Sequence, residues 1–406
     1  MTTNFKLAWR NLWRNRRRTL ITVASIFFGV LLSAYMTSMQ EGSYEKMVDI
    51  VVKFYSGYIQ IHNEKYWENK SINNTFDYDE ALVRKVQKHK EVEMVFPRLE
   101  SFALASSDEL TKGAMVFGIN PEKEDQWTGL SSKIKEGRYL ENGDKGVIIG
   151  EGLASYLKLG VNDTLVLISQ GYHGISAAGM FPIKGLVKHA SPDLNKVAVY
   201  MDLANCQEFY SAPNKITSLV VNVKKSKDMQ PVFQKLKKEV TSPYLVMNWE
   251  EMQPEIVQQI ESDRAGGVVM KAVLYIVIAF GILATIMMMI AERRKEFGVM
   301  VAVGMQKHRL AVILFIETFL IGLLGVVAGI VVSFPIISYQ VGHPIPLTGQ
   351  TARLMEDFGF EPYLFFSKQA IVFTQQALTI FVLSMLIGIY PIVASLRLRV
   401  IKALRS

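Results

Sequence analysis

One short segment of the sequence places charged side chains directly before an apolar run. It reads ERRKEFGVMVAVGM, from Glu292 to Met305, and its charges occupy positions 292 to 296. Phe297, Met300 and Val301 share one face of a helix at this spacing, and such a face can dock into a groove of a partner protein. The alternative is a helix that rests on lipid. The candidate residues for this interaction are Glu292, Arg293, Arg294, Glu296, Phe297, Gly298, Met300, Val301 and Gly304.

Residue patterns that carry catalysis are absent from the sequence. It contains no G-x-x-x-x-G-K-[ST] phosphate loop, no H-E-x-x-H or C-x-x-C metal pattern and no G-x-S-x-G nucleophile turn. Cys206 is the single cysteine, so neither an internal disulfide nor a multi-cysteine metal site can form. We therefore expect that the chain is not an enzyme and holds no cofactor or metal of its own.

Long apolar runs indicate the elements that must position the 292–305 segment. The chain has 406 residues, of which 50% are hydrophobic and 20% charged, and its mean hydropathy is +0.19. This composition is typical of a membrane protein with a sizeable soluble part. A helix needs roughly 20 apolar residues to cross a bilayer core of about 30 Å. The predicted spans are residues 20–39, 266–290, 310–338 and 371–396.

The distribution of lysine and arginine predicts the orientation of these spans. Residues 1–19 carry basic side chains and no acid, and the segments 291–309 and 397–406 are also basic. The positive-inside rule therefore places both termini and the 291–309 segment in the cytoplasm. The long insert 40–265 and the loop 339–370 are then outside. The net charge of +8 accordingly reports topology and contact with anionic lipid rather than nucleic acid.

The first 19 residues have the pattern of an amphipathic helix. Phe5, Trp9 and Trp13 share one helical face, and most of the basic side chains lie off it. Such a helix lies in the inner membrane interface. The alternative is simple basic flanking of the first span, without a helix of this kind.

The long insert reads as a mixed α/β domain. Stretches such as TLVLIS, GVIIG and SLVVNV have the composition of strands, and DEALVRKVQKHK and MQPVFQKLKKEV have the pattern of helices. The insert is large enough for one core or for two subdomains.

Glu317 is the one acid inside a predicted span. An ionisable side chain in the bilayer is costly and usually faces a partner or a cavity. The alternative is that Glu317 reaches water or a basic loop, because it lies only about two helical turns from the cytoplasmic side. Gly325-x-x-x-Gly329 in the same span permits close helix packing but is a weak signal alone.

Several segments in the same order resemble the FtsX/MacB/LolC-type permease subunits of ABC transporters. They are LAWRNLWRNRRRTLITVASIFFGV, VFGINP, IKEGRYL, GVIIGEGLASYLKLGVNDTLVLI, VAVYMDLANCQEFY, ERRKEFGVMVAVGM and YPIVASLRLRVIKALR. The resemblance covers nearly the whole chain. The size of the outer domain and the absence of a fused ATPase make the chain most similar to the lipoprotein-releasing LolC/LolE-like members.

The resemblance implies an α-helical membrane protein with four transmembrane helices and a large mixed α/β periplasmic domain, MacB-like, between the first two. It implies a multi-pass protein of the bacterial inner membrane that works as a homo- or heterodimer of permeases. ATP and magnesium are bound by a separate cytoplasmic ATPase subunit. The 292–305 segment then corresponds to a coupling helix, with Phe297–Met305 as a short helix docked into that ATPase.

The function that the resemblance implies is extraction of lipoproteins toward the outer membrane, with a soluble periplasmic carrier as a further partner. The alternatives are an efflux permease for peptides or amphiphilic drugs, and a mechanotransmission regulator of a cell-wall hydrolase. In the first case acyl chains enter between the first two helices of the two protomers. The candidate cavity residues are Phe27, Phe28, Leu31, Tyr35, Ile278, Ile282 and Met288.

Overall fold

The computed structural model describes residues 2–14, 16–52, 56–189, 191–357 and 362–397. The chain divides into two compact units, which are described separately below. The membrane unit comprises residues 1–46, 259–346 and 363–406, and the α/β unit comprises residues 47–258 and 347–362.

Helices occur in both units. In chain order they are α1 (Thr2–Arg14), α2 (Arg16–Val51), α3 (Glu80–Gln87), α4 (Pro121–Thr128), α5 (Glu151–Leu157), α6 (Pro192–Val197), α7 (Leu203–Phe209), α8 (Met229–Glu239), α9 (Trp249–Met252), α10 (Pro254–Ala302), α11 (Lys307–Gly342), α12 (Gln350–Asp357), α13 (Ala370–Ile387) and α14 (Ile389–Leu396).

The strands belong almost entirely to the α/β unit. In chain order they are β1 (Ile59–Asn63), β2 (Phe76–Asp77), β3 (Val92–Ser106), β4 (Thr111–Ile119), β5 (Ile134–Gly137), β6 (Val147–Gly150), β7 (Thr164–Gln170), β8 (Ser176–Val187), β9 (Ala198–Asp202), β10 (Lys215–Ile216), β11 (Ser218–Val223), β12 (Tyr244–Asn248), β13 (Ile345–Pro346) and β14 (Tyr363–Leu364).

Four helical segments of the described chain are long and apolar enough to cross a membrane: α2, α10, α11 and the α13–α14 pair. α11 is the most enclosed of these helices: 61% of its most apolar 18-residue stretch is buried, against 17% for α10. Glycines on α11 allow close packing, because a Cβ at Gly325 would lie 2.6 Å from Ile26 and one at Gly329 would lie 2.6 Å from Val30. Gly325 and Gly329, whose spacing alone is a weak signal, therefore lie where α11 contacts α2.

The fourth span is interrupted rather than continuous over residues 371–396. α13 ends at Ile387 and α14 begins at Ile389, with Gly388 between them. Pro391 explains the break, since it has no N–H to donate to the carbonyl four residues earlier and its ring crowds the preceding turn. Residues 398–406, the greater part of the predicted cytoplasmic tail, lie outside the described residues.

α10 runs unbroken from Pro254 to Ala302, past the predicted end of the second span at residue 290. The prediction of a separate short helix over Phe297–Met305 is therefore wrong. Glu, Arg and Lys are good helix formers, and a single interior glycine such as Gly298 costs only about 1 kcal/mol, so the charged run continues the helix. The chain reverses at Gly304, whose φ of 104° few other residues adopt.

The α/β unit is organised around a sheet that closes on itself. β3, β4, β9, β6, β8 and β7 pair in that order, and β7 pairs back with β3. The β4–β9 and β6–β8 pairs are parallel, and β3 is long enough to continue into a second part of the sheet through β11, β1 and β12. The predicted fold class, four membrane helices with a mixed α/β domain between the first two, is confirmed.

Each part of this sheet has its own apolar core. Side chains that alternate along the ring strands, such as Ala103, Leu165, Leu167 and Val199, fill its interior. α3 and α8 cover the β11–β1–β12 part, where Val86 and Val232 are fully buried.

A buried ion pair lies outside the ring and fixes α4 to β3. Arg98 donates from Nη2 and Nε to the two carboxylate oxygens of Glu124, at 2.6 and 3.0 Å, and both side chains are almost inaccessible to solvent. The fork of the guanidinium matches both oxygens, and such bidentate geometry is the strongest form of this contact.

Candidate functional site

The C-terminal end of α10 is held by a buried ion pair. Arg293 donates from Nη1 and Nη2 to the carboxylate oxygens of Glu317 on α11, at 2.7 and 3.2 Å. The side chains are only 5% and 1% exposed. Glu317 therefore neither reaches water nor lines a cavity, because its partner is a basic side chain of the neighbouring helix.

Two further ion pairs join this part of α10 to the N-terminal helices. Glu296 pairs with Arg14 of α1, and Glu292 pairs with Arg18 of α2. The two acids are four residues apart and project from one face of α10, and the arginines of α1 and α2 pair with them in antiparallel order. Three of the five charges in the 292–296 run, Glu292, Arg293 and Glu296, thus have partners within the chain.

Phe297 lies in the interior of its own chain. It is 2% exposed and packs in one cluster with Leu310 and Leu314 of α11, with Met300 and Val301 at the edge of that cluster. Its assignment, with Met300 and Val301, to the face that docks into a partner protein is therefore wrong. The three residues do share one helical face, but α11 covers that face.

The opposite side of the turn exposes other apolar side chains. Val299 is 47% exposed and Val303 is 85% exposed. Beside them a groove of about 600 Å³ separates α1 from the end of α10. Its walls are Asn11, Arg14, Glu292, Arg293, Lys295, Glu296, Val299 and Met300. An apolar tip beside a groove with charged walls is suited to binding a protein surface.

α1 is amphipathic and buries one face. Ala8 and Leu12 are buried in the core of the membrane unit, whereas Phe5, Trp9 and Trp13 are 52, 41 and 55% exposed. The exposed aromatic side chains remain free for the lipid interface, where tryptophan is favoured. Insertion of this face into the interface stays a prediction.

Comparison with known proteins shows which family the chain belongs to. Residues 19–239, more than half of the chain, match the family model of the MacB-like periplasmic core domain, and residues 268–400 match that of the FtsX-like permease C-terminal region. The chain belongs to the FtsX/MacB family of ABC transporter permeases. An uncharacterized ABC transporter permease of Methanocaldococcus jannaschii is 21% identical to it over 336 residues, which cover 80% of this chain and 81% of that protein.

Two solved structures are also similar to the outer part of the permease. The periplasmic region of MacB from Actinobacillus actinomycetemcomitans is 16% identical, covers 53% of this chain and 96% of its own, and has a TM-score of 0.36. The extracellular domain of the noncanonic ABC-type transporter YknZ from Gram-positive bacteria is 15% identical, covers 47% and 99% of the two chains, and has a TM-score of 0.33.

The predicted cavity residues of the permease are distributed over different environments. Ile282 is fully buried in the core of the membrane unit, so its assignment to a cavity wall is wrong. Ile278 packs against the position of Gly29, and Tyr35 lies 5.0 Å from the ring of Phe366. Phe27 and Leu31 are partly buried, whereas Phe28 and Met288 are 54 and 59% exposed.

α10 instead presents a long exposed apolar face that the sequence reasoning did not single out. Each of its side chains is at least 45% exposed in the single chain: Val268, Val269, Met270, Val273, Ile276, Val277, Phe280, Met287 and Met288. In a membrane such a face contacts lipid, a second permease or a hydrophobic substrate. The signal in the sequence was an apolar helix with hydrophobic residues on every side, since only part of such a helix can be covered by its neighbours.

The Arg293–Glu317 pair was also missed, although a signal for it exists. The two residues are equally far along the chain from Met305, which directly follows the reversal at Gly304. In a helical hairpin, opposite charges at equal distances from the turn lie at the same depth and can pair. Within the described parts of the permease, no group of three His, Cys, Asp or Glu side chains is placed to hold a metal ion.

Proposed function

We propose that this permease is the membrane subunit of an ABC transporter that extracts lipoproteins from the bacterial inner membrane toward the outer membrane. A separate cytoplasmic ATPase binds ATP and magnesium and supplies the energy. The termini and the α10–α11 turn are cytoplasmic, and the α/β unit is periplasmic. The transporter contains two permease subunits, identical or related.

The observation that carries the coupling part of the proposal is the unbroken course of α10. A helix of 49 residues is about 74 Å long at a rise of about 1.5 Å per residue. This length exceeds a bilayer core of about 30 Å by more than a factor of two. Hydrogen-bonded helical backbone therefore connects the cytoplasmic turn with the start of the helix at Pro254, so a displacement at the turn is carried along the chain toward the outer domain.

The surface that meets the ATPase is the exposed tip of the α10–α11 hairpin. Val303 and Val299 supply the apolar contact, in place of the buried Phe297. Arg294, Lys295 and Glu296 are exposed beside them and form a charged rim. An apolar centre with a polar rim is the usual anatomy of a protein interface.

The exposed apolar face of α10 is the surface that supports an acyl-chain substrate. The interior of the membrane unit is filled by side chains such as Ile26, Val30 and Ile286, so lipid chains would pass along its outer side. Met287 and Met288 on that side are flexible and adapt to chains of variable shape. The same face would contact the second permease, so that substrate enters between the two subunits.

Depletion of the permease in its native cell tests the substrate. Lipoproteins destined for the outer membrane should then accumulate in the inner-membrane fraction, as measured by density fractionation and immunoblotting. Normal lipoprotein sorting together with new sensitivity to peptides or amphiphilic drugs would replace the proposal with efflux. Normal sorting together with a septation or wall-hydrolysis defect would replace it with hydrolase regulation.

A further inference from the structure

A continuous row of alternating charges crosses three helices of the membrane unit. It begins with Arg14 on α1, which pairs with Glu296 on α10. Glu296 lies 3.7 Å from Nε of Arg293, and Arg293 pairs with Glu317 on α11. The row therefore ties α1, the last turns of α10 and the first turns of α11 to one another. Arg18 and Glu292 add a parallel connection between α2 and α10.

Stability is a poor explanation for this row. A buried ion pair such as Arg293–Glu317 loses about as much free energy on desolvation as it gains from attraction, so well-packed apolar residues of similar volume commonly replace it without loss. The exposed pair Arg14–Glu296, whose side chains are 57 and 48% exposed, is of a kind that contributes about 0–1 kcal/mol. What such pairs do supply is a fixed relative position of the elements that carry them.

The local geometry restricts the rotation of α10. The two bonds from Arg293 to Glu317 require one orientation of the guanidinium plane, and the same group lies 5.0 Å from the centre of the Phe297 ring. Phe297 in turn packs against Leu310 and Leu314. A rotation or a shift of the helix end would break the bidentate contact and the aromatic contact together.

We propose that Arg14, Glu296, Arg293 and Glu317 are positioning residues that hold α1 and the α10–α11 hairpin as one rigid body. This body presents Val303 to the cytoplasm and makes α1 the second wall of the 600 Å³ groove. The N-terminal helix is thereby part of the element that responds to the ATPase, rather than a passive membrane anchor. The proposal rests on the proposed function only in assigning to Val303 a binding role and to this body a response to the ATPase.

The position of Val303 relative to α1 can be measured in the full chain without an ATPase. Spin labels are attached at Arg10→Cys and Val303→Cys, which are both exposed, and the chain is reconstituted in lipid nanodiscs. The natural Cys206 is fully buried, and burial raises the pKa of its thiol, so it does not compete for the label. Double electron–electron resonance then gives the distribution of the distance between the two labels, which we expect to be narrow and single.

Two variants separate positioning from stability. Arg293→Met with Glu317→Leu replaces the buried pair by apolar side chains, and Glu296→Gln removes the link to Arg14 at an exposed site. We expect unchanged or higher melting temperatures and a clearly broadened or shifted distance distribution in both. The matched control is Glu80→Gln, which removes the exposed Glu80–Arg84 pair on α3 and should leave the distribution unchanged.

The outcomes distinguish this inference from the proposed function. An unchanged narrow distribution in the Glu296→Gln variant, or in a folded double variant, overturns the positioning role even if Val303 binds an ATPase. A broadened distribution at unchanged melting temperature supports it even if the ATPase proves to bind elsewhere. If the double variant does not fold, the Glu296→Gln result alone decides.

Discussion

Close packing of α11 on α2 makes a quantitative prediction for Gly325. A methyl group at this position would lie 2.6 Å from Cβ and Cγ2 of Ile26 and 3.1 Å from the carbonyl oxygen of Val23, whereas ordinary contact begins at 3.4 Å. Relief requires the two helices to separate by several tenths of an ångström, because backbone and Cβ atoms cannot rotate away. Overpacking of this kind costs about 1–3 kcal/mol.

Gly281→Ala is the matched control, because a Cβ at Gly281 on α10 meets nothing within 4 Å. Both substitutions gain the same intrinsic helix propensity, about 1 kcal/mol, so the difference between them isolates the packing term. We therefore expect Gly325→Ala to be less stable than Gly281→Ala by about 1–3 kcal/mol. Reversible unfolding of the purified chain in mixed SDS micelles, followed by circular dichroism, measures both. Equal free energies of unfolding would refute the packing argument.

Three other predictions concern the interior of each unit and the hairpin tip. Burial lowers the pKa of His62 to about 4, so the unfolded chain takes up a proton at a higher pH than the folded chain does. About 3 kcal/mol of stability should therefore be lost as the pH falls from about 6.5 to 4. Chemical denaturation at both ends of this range should show a weaker pH dependence in His62→Gln than in the natural chain. Glu124→Ala removes both hydrogen bonds between Glu124 and the buried Arg98 and leaves Glu100 at 3.7 Å from the guanidinium. It should lower the free energy of unfolding by about 3 kcal/mol, and a change below about 1 kcal/mol in a denaturant titration would contradict this reasoning. Phe297→Asp should destabilise the membrane unit because Phe297 is 2% exposed. Val303→Asp should leave the melting temperature unchanged but abolish co-purification of the ATPase. The reverse pattern would show that the ATPase binds the Phe297 face rather than the Val303 face.

The membrane helices could be predicted from the sequence because the bilayer imposes a simple requirement. A run of about 20 apolar residues has few alternatives to a spanning helix, and residues 20–39 and 310–338 are such runs, interrupted only by Glu317 in the second. The course of α10 beyond residue 290 was not predicted, since charges were interpreted as a loop although they are compatible with a helix that leaves the membrane.

The coupling segment shows why a correct face does not identify a partner. The spacing of Phe297, Met300 and Val301 does place them together. The spacing predicts only that this apolar face is covered, not by which element. Here α11 of the same chain covers it, so it is not available to another protein. The ion pair of Arg293 with Glu317 likewise depends on the reversal of the chain at Gly304, which brings together residues that are distant in the sequence.

In the α/β unit, individual strands such as Val147–Gly150 and Ser218–Val223 could be predicted from β-branched residues between turn signals. Closure of the ring could not, because it requires β7 to pair with both β8 and β3. The second pairing places Leu104 opposite Ile168, and no local pattern specifies a partner at that separation.

Photocrosslinking from Val303 tests the central claim most directly. A benzoylphenylalanine residue replaces Val303 in the permease expressed in its native cell, and the crosslinked peptides are identified by mass spectrometry after irradiation. Leu378, which is 64% exposed on the membrane helix α13, is the matched control position. The account predicts adducts with an ATP-binding subunit from position 303 and with lipid from position 378. Adducts from Val303 with lipid alone would contradict the docking surface. Adducts with a periplasmic protein would contradict both the docking surface and the orientation of the chain.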